Sequence, residues 1–218
     1  MNRTIKQTVL LLVLATFGAA SSANTSEMTE RDYQILSAFF ESQSEGATAA
    51  DKIRLGPTGS TLSPVTVAFS TALSADARNA FSRNLPGLTS DTLASFERCA
   101  ATQYNVRYQF QVTTRYEIAR SEEIANPKAF YSRHPGSAGY SQFSCVGTNA
   151  SGTQAFFYVE RLMTDAAIGE WVLMAKTGSG KWTIKQEKVC WSSKVATNAF
   201  SHNSSAARER AHTPTGPE

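Results

Sequence analysis

The chain is expected to fold as an α+β domain, with N-terminal and central helices packed on a curved antiparallel sheet that ends in a four-strand meander. Three observations carry this. From Pro135 to Trp191 the sequence reads as four strands, each preceded by a turn-coded loop: Pro135-Gly136-Ser137-Ala138-Gly139, Asn149-Ala150-Ser151-Gly152, Ala167-Ile168-Gly169 and Thr177-Gly178-Ser179-Gly180. Upstream, apolar residues recur at helical spacing behind cap residues. Between Tyr104 and Ala119, β-branched and aromatic residues dominate.

Residues 1–23 have the form of a secretory signal peptide. Arg3 and Lys6 make a positive start, Val9 to Gly18 is apolar, and Ser21-Ser22-Ala23 offers small residues for cleavage. That apolar run in helical form rises only about 15 Å against a hydrocarbon core of about 30 Å, so it is too short to anchor the chain. Cleavage is expected before Asn24, leaving a single α+β domain over 24–196, a disordered tail over 197–218 and no integral membrane segment. Loss of Arg3 and Lys6 from the 21 basic residues leaves 19 against 18 acidic ones, and no run of Lys or Arg exists. Nucleic acid is therefore excluded as a partner, because its affinity depends on neutralising several phosphates together.

Thr29 with Asp32 three residues later reads as a helix cap, and Tyr33, Leu36 and Phe40 share one face, with Phe39 beside them, to about Ser42. A short strand is expected at Lys52–Leu55, then a Gly/Pro/Ser/Thr loop from Gly56 to Pro64, then an alternating strand at Val65–Phe69. Ser74 starts a helix that stops at Pro86-Gly87, and Thr89 or Ser90 starts another containing Leu93, Phe96 and Cys99. Alternation of Val106, Tyr108, Phe110 and Val112 suits one or two strands before Ala119. Ser121-Glu122-Glu123-Ile124 looks like a cap with an acidic first turn, interrupted at Asn126-Pro127 and resumed through Phe130-Tyr131. In the meander, Phe156 and Tyr158 lie on one face and Phe157 and Val159 on the other, so both faces carry bulk. The parity of Trp182 and Ile184 against Val189 and Trp191 calls for a bulge near Glu187 or a bent, partly closed sheet.

The three cysteines, Cys99, Cys145 and Cys190, allow at most one internal bridge, and their spacing leaves all three pairings open, as well as three buried thiols. No close Cys pair or His cluster has ligand spacing for a metal, and no cofactor is implied. Catalytic sets are also missing. The histidines are His134, His202 and His212, two of them in the tail; His134 opens a turn before Pro135, a surface position from which it would have to serve Ser137 or Cys145. Lys176-Thr177-Gly178 lacks the Ser-x-x-Lys and Ser-Asp-Asn companions of penicillin-recognising enzymes. Glu160, Asp165 and Glu170 gather around one hairpin, and a hydrolase would need two of them facing each other across a cleft.

The pattern Phe130-Tyr131, His134-Pro135-Gly136-Ser137-Ala138-Gly139, Val146-Gly147 with Asn149, Gly152-Thr153-Gln154-Ala155, Tyr158-Val159, Gly180-Lys181-Trp182 and Trp191 resembles a family of exported bacterial proteins that has no assigned activity. The resemblance covers about a third of the chain closely. It implies an exported α+β domain of the periplasm or medium and transfers no catalytic residue. Cys145 and Cys190 depart from the family pattern, where a basic residue and a non-thiol are usual.

The expected function is therefore non-enzymatic binding of an envelope or extracellular protein. The alternatives are a small-ligand site in the sheet concavity beneath the helices, lined by residues such as Tyr158 and Trp171, and a carboxylate-dependent hydrolase. The expected interaction surface is Arg133, His134 and Tyr140, which bracket the Gly-rich loop.

Overall fold

A computed structural model describes residues 26–45, 60–69, 73–163 and 166–194. The leader, the strand expected at Lys52–Leu55 and the tail lie outside these residues. The described elements are helices α1 (Glu30–Glu45), α2 (Ala75–Asn84), α3 (Ser90–Cys99), α4 (Ser121–Ile124) and α5 (Pro127–Arg133). The strands are β1 (Ser26–Glu27), β2 (Ser60–Leu62), β3 (Tyr104–Asn105), β4 (Tyr116–Ile118), β5 (Gly139–Phe143), β6 (Gly147–Thr148), β7 (Gln154–Met163), β8 (Ala166–Lys176) and β9 (Trp182–Lys194). The fold is α+β: one sheet has the order β4-β2-β5-β7-β8-β9, with β6 also on β7, and β1 and β3 form a separate parallel pair.

Helix starts follow the capping chemistry. The Asp32 carboxylate accepts the Thr29 backbone N–H at 2.9 Å while Thr29 Oγ1 accepts the Asp32 N–H at 3.3 Å, a reciprocal cap. Ser74 and Thr89 cap α2 and α3 through their side-chain oxygens, and Asn126 caps α5 with Pro127 at its first turn. At α4 the cap residue is Arg120 rather than Ser121, because Glu123 reaches back to accept the Arg120 N–H at 2.9 Å.

The meander is antiparallel from β5 to β9, whereas β2 pairs in parallel with both β4 and β5, which makes the whole sheet mixed. The loop expected at Ala167-Ile168-Gly169 lies inside β8, where Gly169 pairs with Glu160 and Trp191. The strand expected between Gly139 and Asn149 breaks at Ser144: its N–H bonds to Tyr158 O, and its hydroxyl accepts the Tyr158 N–H. β9 carries two bulges. Its register against β8 slips at Lys185 and again at Cys190, so they flank Glu187 instead of falling on it.

Two segments expected as strands are irregular. Val65–Phe69 forms a single bridge, Val65 to Asn105, and then sends its N–H groups to Tyr104, Phe143 and Ala100 in turn. In residues 106–115 three backbone amides are taken by side chains of α1. Tyr33 OH accepts from Arg107, Ser37 Oγ from Gln111 and the Glu41 carboxylate from Thr113. Those three residues stand four apart on one helix face, so they replace a strand partner.

Helices pack on both faces of the sheet. On one, α1 and the 106–115 segment bury Tyr33, Ile35, Leu36 and Phe39 against Phe143, Phe157, Val159, Val172, Met174 and Trp182. On the other, α2 and α3 bury Leu85, Leu93 and Phe96 against Phe156 and Leu173. Burying one such aromatic or leucine contributes about 1.5–3 kcal/mol.

Candidate functional site

Arg133, His134 and Tyr140 lie around the C-terminal end of α5, Arg133 exposed and Tyr140 half-buried. His134 is only 8 % exposed, so the expectation of a surface histidine is corrected. Its Nδ1 lies 3.0 Å from Glu117 Oε2 and its Nε2 3.3 Å from Glu123 Oε2, and the ring rests on Phe130. Arg133 Nε sits 3.1 Å from Glu123 Oε1, and Arg115 is 3.5 Å from Glu117. With a carboxylate at each ring nitrogen, His134 has no nitrogen left to act as base for Ser137, whose hydroxyl is turned to Gly139 O at 2.5 Å. The network ties α4 and α5 to the β4 edge.

Glu123 makes that network sensitive to acid. Its carboxyl is held below the ordinary 4.5 first by the Arg120 backbone N–H, against the opposing effect of burial, and then by His134 and Arg133. A depressed carboxyl adds stability that is complete above its unfolded pKa and is lost as pH falls through the lower folded value. Urea melts are expected to show wild type losing stability from about pH 5 downwards, with Glu123→Gln less stable near neutrality and the two curves converging in acid. A constant gap at all pH values would refute this.

Cys99 and Cys145 form a disulfide, which leaves Cys190 as a thiol on β9. Burial pushes the Cys190 thiol up to about 11, and its Sγ–H points to Gly169 O at 3.0 Å. It is therefore held as a weak nucleophile. Glu160 and Glu170 do not face each other: Val159 pairs with Glu170, so its neighbour Glu160 lies on the opposite face. Asp165 lies outside the described residues. Among the described residues no group of three or more His, Cys, Asp or Glu is placed to hold a metal ion, and no helix is long and apolar enough to cross a membrane.

The concavity expected over Tyr158 and Trp171 is filled. Trp171 stacks on Phe69 and Phe156 and meets Phe81 and Phe96 edge-on, so it packs half-buried against the core. A cavity of about 60 Å³ opens instead on the other face, between α1 and the sheet, lined by Phe39, Phe40, Val112, Tyr116, Val159 and Arg161. It has room for a few waters, well short of the roughly 300–1,000 Å³ of small-molecule sites. Arg161 there is ion-paired with the buried Glu170.

Two features near β9 are not accounted for by packing. The first is a row of paired residues across four strands on the α3 face, Gln142, Glu160, Gly169 and Trp191. A Cβ on Gly169 would overlap the Trp191 indole nitrogen and the Tyr158 hydroxyl, so the glycine lets the indole lie over β8 and donate to Tyr158 OH at 2.7 Å. Glu160 stands beside them, half-buried, with no hydrogen bond or ion pair to another described residue. Burial raises its carboxyl, and burial followed by the Glu160 charge pushes the Tyr140 hydroxyl up to about 12.

The second feature is the β9 edge. β4, at the opposite end of the sheet, is three residues long, and Tyr108 OH accepts its Ile118 N–H at 3.1 Å. β9 is thirteen residues long and pairs only with β8 among the described residues. Lys185, Lys188 and Val189 are exposed along it, Val189 to 49 %. Sequence reasoning missed this edge, because edge position is a property of sheet order. No family model, curated protein or solved structure matches the chain.

Proposed function

We propose that the protein is a non-enzymatic, exported binding domain of the periplasm or medium that takes an extended segment of an envelope or extracellular protein onto the free edge of β9. The single observation that carries this reading is the contrast between a thirteen-residue edge strand that is paired on one side only among the described residues and two sheet faces that each carry a helix. An unpaired strand offers a row of N–H and C=O groups to a partner strand. The exposed Lys185 and Lys188, with bulges at Lys185 and Cys190, oppose pairing between identical edges and favour a partner with acidic side chains. Export rests on the leader and on the resemblance to exported bacterial proteins, and the Cys99–Cys145 bridge supports an oxidising compartment.

The test is affinity capture of the mature protein's partner from its own envelope extract, with wild type and Lys185→Glu/Lys188→Glu in parallel. One stoichiometric protein is expected on wild type, reduced about tenfold or more on the double variant by like-charge repulsion. Both lysines are exposed, so the melting temperature is expected to be nearly unchanged. Equal capture by both proteins would remove β9 from the interface.

A further inference from the structure

We propose that Glu160, Tyr140, Tyr158 and Trp191 form a binding site for a small organic ammonium ion. The site takes one side chain, Trp191, from a face of β9 without using that strand's backbone edge, and lies on the sheet face that α3 covers only in part.

The register sets the geometry. Glu160 pairs with Gln142 on β5 and with Gly169 on β8, and Gly169 pairs with Trp191 on β9. Tyr158 is two residues before Glu160 on the same face, and Tyr140, paired with Leu162, is its diagonal neighbour, a separation aromatic side chains span. The missing side chain at Gly169 places the indole next to the acid, where its N–H is fixed by Tyr158. The Gln142 amide is turned away to Ser63 Oγ at 3.1 Å. One carboxylate is thus bordered by three aromatic side chains.

The titratable groups that feel the Glu160 charge are Tyr140, Tyr158 and the Cys190 thiol, and none of them is a cation. Arg161, next in sequence, points to the opposite face and pairs with Glu170. A half-buried carboxylate with no counter-charge among the described residues is costly, and an incoming cation relieves that cost. A metal ion is a poor match, since hard cations take six or more oxygen ligands and one acid with phenol hydroxyls supplies too few. An alkylammonium ion suits both parts, because its charge meets the carboxylate and its N–CH groups meet the half-buried Tyr140 and Trp191 rings, while the buried Tyr158 holds the indole in place.

Butylammonium is the probe, titrated into the mature protein while the Trp191 indole N–H resonance is followed, with butanol as the neutral counterpart of the same shape. A saturable shift is expected with butylammonium and not with butanol. Glu160→Gln is expected to weaken binding about tenfold or more, and Lys185→Glu/Lys188→Glu to leave it unchanged, which separates this site from the β9 reading. The proposal is overturned by the absence of a saturable shift, by equal responses to amine and alcohol, or by a folded Glu160→Gln that binds like wild type. The amine-against-alcohol comparison uses wild type alone and stays decisive even where Glu160→Gln fails to fold.

Discussion

Removing the Cys99–Cys145 bridge is expected to lower the unfolding free energy by about 4 kcal/mol, a large fraction of the 5–15 kcal/mol of an ordinary domain. The bond joins residues 46 apart in sequence, and closing a loop of that size in the unfolded chain removes entropy that the reduced chain keeps. In the folded state it ties the C-terminal end of α3 to the break between β5 and β6. The intervening segment, from Ala100 through β4, α4 and α5 to β5, contains the longest irregular stretch among the described residues, so its unfolded ensemble has much freedom to lose. Denaturant melts of oxidised wild type, reduced wild type and Cys99→Ala/Cys145→Ala check this. The last two should coincide, both well below the first, and a gap under about 1 kcal/mol would show that the loop is already restrained without the bond.

What the sequence made legible depended on how far away each backbone partner lay. Thr29 with Asp32, Ser74, Thr89 and Asn126-Pro127 act within a few residues, so their helices are readable from local chemistry. The 106–115 segment has alternating residues like a strand, yet its amides go to Tyr33 and Ser37, each 74 residues away. β2 lies in a stretch rich in turn residues, and it exists because β4 and β5 flank it in parallel, pairings that no local pattern announces.

The same reasoning separates the legible part of the site from the rest. Tyr140 and Glu160 stood out as residue types near a loop and a hairpin, but their relation is a matter of register, which a one-residue slip would reverse. Gly169 looked like a turn and is a point of close approach for Trp191. His134 looked exposed beside Pro135, whereas its carboxylate partners Glu117 and Glu123, 17 and 11 residues earlier, draw it inward. Those partners belong to other elements, β4 and α4, so the burial left no periodic trace along a single helix or strand.

Phe96→Ala is expected to cost about 3–5 kcal/mol, towards the top of that range, because its surroundings cannot close over the gap. The ring is fully buried, with centroids 5.2 Å from Phe156, 5.6 Å from Trp171 and 5.9 Å from Phe69. Filling the space would need α3 to move towards the sheet, and two contacts prevent it. At Gly147 the backbones of β6 and α3 are already so close that a Cβ would stand 2.6 Å from Phe96 Cα. One turn further, the disulfide fixes Cys99 to Cys145. If rigidity is the cause, the cost must depend on the bond: in the Cys99→Ala/Cys145→Ala background α3 can tilt, and Phe96→Ala should cost less than in wild type. A double-mutant cycle measures the coupling, expected at about 0.5–3 kcal/mol for groups in contact. Simple additivity would mean that α3 is held by Gly147 packing alone, and a Phe96→Ala cost below about 2 kcal/mol would mean that the helix is not held at all.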